Sequence, residues 1–171
     1  MLIYLNDALV PKSEAKVSVF DHGFLYGDGI YETMRAYDGV IFMLDEHLIR
    51  LYRSASKIGL DAPKSIDEIK AALYDTLKAN SLRNAYVRLT ISRGYGPIGL
   101  DPDLCKEPTF IIIAEEMKDY PKSYYARGIK IIIAGTKRNL KDAINPQIKS
   151  LNFLNNILAK IEANHCGADA G

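Results

Sequence analysis

Two apolar periodicities follow one another along this chain, and together they constrain its fold more than any other feature. Two-residue alternation and short unbroken apolar runs are typical of strands, and they predict six of them. The predicted strands cover residues 2–5, 30–37, 40–44, 86–92, 109–114 and 129–134. The pair Asp38-Gly39 between two of these segments predicts a hairpin turn. Alternation also places Tyr86 and Arg88 on one face of their strand.

Helical spacing of apolar residues occupies three other segments. One begins with Asp45 as its predicted N-cap and ends at Gly59. The next begins at a predicted capping box formed by Ser65 and Glu68. The third runs over residues 151–163.

Strands and helices are mixed without regular alternation, which predicts an α+β domain over residues 1–119. The polar segment 120–128, which contains Pro121, is predicted to be an interdomain linker. Residues 129–171 then supply one strand and one helix, which cannot bury a core between them. We therefore expect them either to begin an incomplete second domain or to dock elsewhere.

The charge balance argues against nucleic acid and membrane partners. Twenty-two basic and 21 acidic residues nearly cancel, so no electrostatic footprint for nucleic acid or an anionic membrane is present. No apolar run approaches membrane-spanning length, and Asn6-Asp7 interrupts the apolar start, so no signal peptide is expected. Cys105 and Cys166 form neither a disulfide framework nor a metal spacing, which fits a cytoplasmic location.

Lys149 lies among apolar residues where an extended segment is predicted to pass into the third helix. Pro146 ends whatever precedes this segment, and the helix pattern starts at Leu151. A helix N-terminus and partial burial both disfavour a cation. Both effects favour the neutral amine that a Schiff-base lysine needs. On spacing alone, a surface lysine at a helix start is the better explanation of the pattern.

The glycines Gly94, Gly96 and Gly99 match a dinucleotide-binding fingerprint by spacing and follow a predicted strand. That fingerprint must open a helix, whose N-terminus binds the pyrophosphate. Pro97 lies inside the motif, however, and no helical pattern follows it. A loop that reaches a neighbouring site or subunit is the better interpretation.

Other candidate sites have weaker support. Asp21, His22 and His47 lack the spacing of metal ligands, and no nucleophile elbow is present. Arg50, one turn into the first predicted helix, is read either as a salt-bridging residue or as a phosphate ligand.

Four segments, taken in order, resemble the fold-type IV pyridoxal-phosphate enzymes. This family includes branched-chain aminotransferases, D-amino-acid aminotransferases and aminodeoxychorismate lyases. The matching segments are Tyr26-Gly27-Asp28-Gly29-Ile30-Tyr31-Glu32 with Arg35, Glu46-His47-Leu48-Ile49-Arg50-Leu51, residues 93–102, and Ile148-Lys149-Ser150-Leu151-Asn152. The resemblance covers essentially the whole chain. It implies a small N-terminal domain followed by the start of a larger, β-rich cofactor-binding domain.

The resemblance also assigns roles to residues. It implies that Lys149 is the catalytic lysine that binds pyridoxal 5'-phosphate and that Arg50 binds the cofactor phosphate. It implies substrate contacts for four further side chains: Tyr26, Tyr31, Tyr86 and Arg88. The loop over residues 94–100 resembles one that enters the neighbouring subunit's site, which implies a homodimer.

Within the family, the chain is most similar to the branched-chain aminotransferases. D-amino-acid enzymes carry an arginine and a histidine in the glycine loop, where this chain has Ile98 and Leu100. The resemblance therefore implies transamination of aliphatic L-amino acids with 2-oxoglutarate, and Arg88 is the candidate ligand for the second carboxylate of glutamate. Lyase chemistry, D-amino-acid transamination and an inactive, dimerising fragment remain as alternatives.

Two departures from the family pattern matter. Phe153 stands where many relatives have a tyrosine, so it cannot donate a hydrogen bond to the cofactor ring oxygen. Relatives also continue beyond the position of Gly171, in a part that supplies the acidic partner of the pyridine nitrogen and further phosphate ligands.

Overall fold

A computed structural model describes residues 1–170, which form two compact units. The first unit comprises residues 1–117 together with 148–151. The second comprises residues 118–147 and the described residues from 152 onward. The short segment 148–151, which carries Lys149, is therefore part of the first unit although it lies far along the chain.

The first unit is built on a six-stranded antiparallel sheet with the order β2-β1-β6-β5-β3-β4. Its strands are β1 (Leu2–Leu5), β2 (Ala8–Pro11), β3 (Gly29–Tyr37), β4 (Val40–Ile41), β5 (Ala85–Ser92) and β6 (Thr109–Glu116). The two longest pairings, β3 with β5 and β5 with β6, join strands from distant parts of the sequence. The α+β class is confirmed.

Helices cover one face of this sheet. The short α1 (His22–Tyr26) precedes β3, while α2 (Leu44–Lys57) packs on β3 and α3 (Ile66–Ala79) packs on β6 and β1. Alternation along β3 and β5 directs Ile30, Met34 and Leu89 into the core beneath these helices. The opposite face, which we call the open face, carries Tyr31 and its neighbours at two-residue spacing. These neighbours are Thr33 and Arg35 on β3, with Tyr86, Arg88 and Thr90 paired opposite on β5.

The helix ends agree with the sequence in one case and differ in another. Ser65 and Glu68 form the predicted capping box at the start of α3. Asp45, in contrast, is not an N-cap, because α2 begins at Leu44 and its cap residue is Met43, with φ of 51°. The return strand of the hairpin is correspondingly short and ends at Ile41. Asp45 therefore lies in the first turn of α2, where its negative charge still interacts favourably with the helix dipole.

The second unit contains α4 (Lys122–Arg127) and α5 (Leu154–His165). The segment predicted as a linker thus carries a short helix. The predicted buried strand over residues 129–134 is wrong, because Ile131 is 67% exposed and Ile133 is 100% exposed. Among residues 1–170 its ladder contact is a single bridge from Ile131 to Ala170. An apolar run becomes a buried strand only where neighbouring strands pair with it.

The prediction that Lys149 lies at the N-terminus of the third helix, where the helix dipole would act on it, is also wrong. The helix α5 begins at Leu154, after Phe153 as cap residue, whereas Lys149 lies in extended chain before Asn152. Since the dipole effect acts within the first turn of a helix, it cannot act on this lysine.

Candidate active site around Lys149

Main-chain pairing holds the Lys149 segment against the start of β3. The Tyr31 amide donates to the Lys149 carbonyl at 3.0 Å, and the Leu151 amide donates to the Gly29 carbonyl at 2.9 Å. Between these bonds Ser150 bridges Ile30. The segment therefore adds a short strand next to the part of β3 that β4 does not reach.

Helix α2 provides a second attachment for the same segment. The Lys149 amide donates to the Ser54 hydroxyl at 3.2 Å, and Ser54 is buried in the helix face toward the core. Because residues four apart on a helix are neighbours, Ser54 lies next to Arg50 on α2. Lys149 and Arg50 are thus positioned through one rigid element.

The Lys149 amine lies over an aromatic ring on the open face of the sheet. Its Nζ atom is 4.2 Å from the ring centroid of Tyr31, and the guanidinium carbon of Arg88 is 4.1 Å from the same centroid. Both distances are within the range of cation–π contacts. Within residues 1–170, Nζ makes no hydrogen bond or ion pair, so this amine is available to react with a carbonyl group. Two cations beside one ring also make the site attractive to a carboxylate.

Arg50 lies on α2 and pairs with a strand residue that the sequence reasoning assigned no role. Its Nε and Nη2 atoms donate to the two carboxylate oxygens of Glu32, each at 2.6 Å. Hydrogen bonding to Glu32 raises the pKa of Arg50, so its charge is secure. His47 and Arg53 line the same open cavity on α2, whose volume is about 490 Å³.

Tyr26 and His22 support the glycine loop. The Gly99 amide donates to the Tyr26 hydroxyl at 3.1 Å, and His22 Nε2 donates to the Pro97 carbonyl at 2.9 Å. The tip of the loop presents apolar side chains to solvent, with Ile98 73% and Leu100 86% exposed.

The structure thus brings Lys149, Tyr31 and Arg88 into one cluster, and Ser54 connects Arg50 to it along α2. Tyr86 shares the open face with Arg88 and is 42% exposed. The other predicted residue, Tyr26, lies at the glycine loop.

Two carboxylates that pair with arginines of the first unit, those of Asp28 and Glu32, were not predicted from the sequence. Asp28 is partly buried and pairs with Arg93, whose Nε lies 2.6 Å from its Oδ2, and Arg93 also donates to the Ile58 and Gly59 carbonyls. Glu32 occupies a core position of β3 and is 0% exposed. A charged residue in the core register of an alternating strand requires a buried partner, and that signal was readable from the sequence.

The described part of the chain has neither a metal-binding cluster nor a helix suited to crossing a membrane. No group of His, Cys, Asp or Glu side chains within residues 1–170 could hold a metal ion. Over the same residues, no helix has the length and apolarity needed to cross a bilayer.

Several known proteins are similar to this chain in sequence or in fold. A protein of Methanocaldococcus jannaschii, provisionally named branched-chain-amino-acid aminotransferase, is 50% identical over 99% of this chain and 58% of its own length. The crystal structure of Escherichia coli branched-chain amino acid aminotransferase superposes with a TM-score of 0.91 at 30% identity, over 98% of this chain and 57% of that one. The T.th. branched-chain amino acid aminotransferase with pyridoxamine 5'-phosphate gives a TM-score of 0.91 at 31% identity, over 98% and 57% of the two chains.

Other activities occur among further matches. D-alanine aminotransferase of Bacillus licheniformis and aminodeoxychorismate lyase of Bacillus subtilis are both 35% identical, over 98% and 94% of this chain and 58% and 54% of those proteins. The chain therefore spans less than two thirds of the length of these relatives. Residues 29–171 match the family of class IV amino-transferases. Since that match covers most of the sequence, the chain belongs to the class IV aminotransferase family.

Proposed function

We propose that this protein is a pyridoxal 5'-phosphate-dependent aminotransferase that exchanges amino groups between branched-chain L-amino acids and 2-oxoglutarate. The observation that carries the proposal is the Lys149 amine, which lies over the Tyr31 ring without a polar partner among residues 1–170, while Arg88 contacts the same ring. The names of three of the relatives described above, all branched-chain aminotransferases, support transamination of branched-chain amino acids.

The residues present suit this cofactor. Lys149 offers a primary amine for its aldehyde, and Arg50 offers a guanidinium whose Nη1 atom makes no hydrogen bond within residues 1–170. Arginine is well matched to a phosphate group by charge and by shape. When bound, pyridoxal phosphate supplies an electron sink for the bond that breaks at the substrate α-carbon.

The chain's own residues would position the substrate and move one proton. We assign the Lys149 Nζ atom as the base that takes the proton from the substrate α-carbon and later returns it. Arg88 is assigned to a substrate carboxylate, including the second carboxylate of glutamate. Tyr31 contacts both cations through its ring. We assign Tyr86 and Tyr26 to flank the substrate.

We further propose a cytoplasmic homodimer in which the glycine loop of one subunit enters the site of the other. The exposed, uncharged Ile98 and Leu100 suit an aliphatic substrate side chain. Both cysteines are free in the structure, in keeping with a reducing compartment.

Covalent trapping tests the role of Lys149 directly. The purified protein is incubated with pyridoxal 5'-phosphate, reduced with borohydride, digested and examined by mass spectrometry. We expect a pyridoxyl group on Lys149, lost in Lys149→Ala and kept in Lys141→Ala, a control at an exposed lysine. A label confined to another lysine, or no label at all, would overturn the proposal.

A substrate panel tests the reaction. L-leucine, L-valine, D-alanine and aminodeoxychorismate are assayed separately, with glutamate formation and pyruvate release as the two readouts. We expect glutamate from the two branched-chain substrates when 2-oxoglutarate is present. Preferential use of D-alanine, or pyruvate release from aminodeoxychorismate, would replace the proposed substrate class with that of another family member.

A further inference from the structure

Glu32 is a fully buried carboxylate that the reaction described above does not use. It lies on the core side of β3, among apolar residues, and none of its surface is exposed. Burying a charged carboxylate is strongly unfavourable unless hydrogen bonds and an opposite charge compensate for it. A residue retained at such a position is expected to act through its partners.

Both oxygens of Glu32 are engaged by α2. Oε1 accepts from Arg50 Nε and Oε2 accepts from Arg50 Nη2, each at 2.6 Å. The Nδ1 atom of His47 lies 2.9 Å from Oε2, with geometry suited to donating a hydrogen bond. The carboxylate is therefore held from two sides and cannot rotate without losing these bonds.

The consequence for Arg50 is a fixed orientation. Its side chain is 51% exposed, so an isolated arginine here would sample many rotamers. The planar fork of the guanidinium instead engages Glu32 through Nε and Nη2. Its Nη1 atom makes no hydrogen bond in residues 1–170, so one edge of a preoriented cation is left to bind an anion.

We propose that Glu32 is a positioning residue that fixes the Arg50 guanidinium for the phosphate group of the cofactor. The inference rests on the proposed function, since that function supplies the phosphate. Glu32 does not touch the ligand: it acts through Arg50, with His47 holding the carboxylate in place. Preorganised donors bind an anion more tightly because less ordering is needed on binding.

Two ligands that differ only in the phosphate separate positioning from a general structural role. Dissociation constants for pyridoxal 5'-phosphate and for pyridoxal are measured by absorbance on the cofactor-free protein and on Glu32→Gln. We expect the variant to bind pyridoxal 5'-phosphate about tenfold more weakly, as for loss of a charge-assisted hydrogen bond, while pyridoxal affinity changes by less than about twofold. An equal loss for both ligands would overturn the inference.

A double-mutant cycle supplies the second criterion. If Glu32 acts through Arg50, then Glu32→Gln should change pyridoxal 5'-phosphate affinity by less than about twofold once Arg50→Gln is present. The same factor in both backgrounds would contradict the inference. Asp28→Asn is the matched control, because it disrupts another arginine–carboxylate pair of this unit. Asp28→Asn should change the affinities for pyridoxal 5'-phosphate and for pyridoxal by the same factor.

A measurement on the unmodified protein covers the case in which Glu32→Gln does not fold. In an ¹⁵N-arginine spectrum, we expect a protected Nε–H signal from Arg50, assigned by its loss in Arg50→Gln, that shifts on adding inorganic phosphate. Absence of that protected, phosphate-sensitive signal would overturn the inference. Failure of the proposed function looks different, because then neither pyridoxal nor its phosphate labels Lys149, whatever residue stands at position 32.

Discussion

At the scale of single residues, Gly29 shows how an absent side chain allows the site to form. A Cβ atom at this position would lie 2.6 Å from the Ile91 carbonyl oxygen and 2.7 Å from Leu151 Cδ1. The first contact is with backbone in the central sheet and the second is with the segment that carries Lys149. A side chain here would therefore separate β3 from that segment.

Gly29→Ala should both destabilise the protein and weaken cofactor attachment. We expect a loss of about 1–3 kcal/mol in the free energy of unfolding, as for overpacking, together with reduced pyridoxyl labelling of Lys149. Urea unfolding and mass spectrometry measure the two effects. Gly135→Ala is the control, since its Cβ would meet only Glu162 Oε2, at 3.5 Å. Equal behaviour of the two variants would show that the close approach at Gly29 is unimportant.

Substitutions of Tyr31 test the aromatic support of the Lys149 amine. Tyr31→Phe keeps the ring, so we expect the yield of lysine labelling at limiting cofactor to change by less than about twofold. Tyr31→Leu removes the cation–π contact, which contributes about 0.5–2 kcal/mol, and should reduce the apparent affinity by about 2- to 30-fold. Similar affinities for the two variants would mean that the ring face makes no contribution.

At the scale of elements, α2 both buries apolar side chains against the sheet and binds polar groups of the site. Leu48, Leu51 and Ala55 bury against the sheet, while Ser54 accepts a hydrogen bond from the Lys149 amide and Arg50 binds Glu32. A displacement of this helix would therefore move the lysine segment and the guanidinium together.

Ser54→Ala should loosen the lysine segment. The change removes one hydrogen bond, worth about 0.5–1.5 kcal/mol, and leaves the partly buried Lys149 amide without this partner. We expect a lower free energy of unfolding and faster hydrogen exchange at Lys149. Ser56→Ala is the control, because Ser56 is an exposed serine on the same helix. Unchanged exchange at Lys149 in Ser54→Ala would contradict the attachment.

In the second unit, Glu162 of α5 is hydrogen-bonded to the chain at residues 135–136. Its carboxylate accepts from the Thr136 hydroxyl and from the Gly135 and Thr136 amides, and these bonds lower its pKa from the ordinary value of 4.5. Because the folded pKa is the lower one, this stabilisation is present above pH 4.5 and is lost as the pH falls through the folded pKa.

Glu162→Gln should therefore speed hydrogen exchange at the Gly135 and Thr136 amides near neutral pH. The difference from the unsubstituted protein should shrink as the pH falls below 4.5, since the carboxylate is then progressively protonated. Glu14→Gln, at an exposed loop position, serves as the control. A difference that is constant from neutral to low pH would contradict the role of the charge.

At the scale of the whole molecule, the apolar positions of β5 in the first unit and those of residues 129–140 in the second differ in burial. In the first, the residues of β5 that face the helices are fully buried, as Val87, Leu89 and Ile91 show. In the second, Ile133 is 100% exposed and Leu140 is 75% exposed. Where exposed aliphatic side chains are contiguous, they are typical of surfaces that bind a protein, a membrane or a ligand.

The exposed run over residues 129–134 can be tested by substitution. Ile131→Ser with Ile133→Ser should lower the fluorescence of bound ANS and change the free energy of unfolding of this 171-residue chain by less than about 0.5 kcal/mol, because exposed side chains contribute little burial. Ile91→Ser, at a core position, should destabilise by several kcal/mol (about 2–5). If the double substitution destabilised the protein as much as Ile91→Ser does, residues 129–134 would form a buried strand, as the sequence predicted.

Local patterns made much of this protein predictable. Alternation identified β3 and β5 and assigned Tyr86 and Arg88 to one face, and the capping box identified the start of α3. The pattern failed where a long-range partner decided the outcome. The run at 129–134 reads as a buried strand, yet the described residues pair with it at a single bridge. Similarly, the apolar spacing after Leu151 suggested a helix that begins before its actual first residue, Leu154.

The α+β class, the family and the candidate residues Lys149, Arg50, Tyr31 and Arg88 could be predicted without a structure, because short-range periodicity and ordered motifs are properties of the chain alone. Tertiary structure decided which of these residues meet. Lys149 reaches Tyr31 because its segment pairs with β3 and bonds to Ser54, and Arg50 pairs with the buried Glu32 because α2 packs on β3. Such contacts depend on sheet register and helix packing between distant segments, for which no local pattern carries the information.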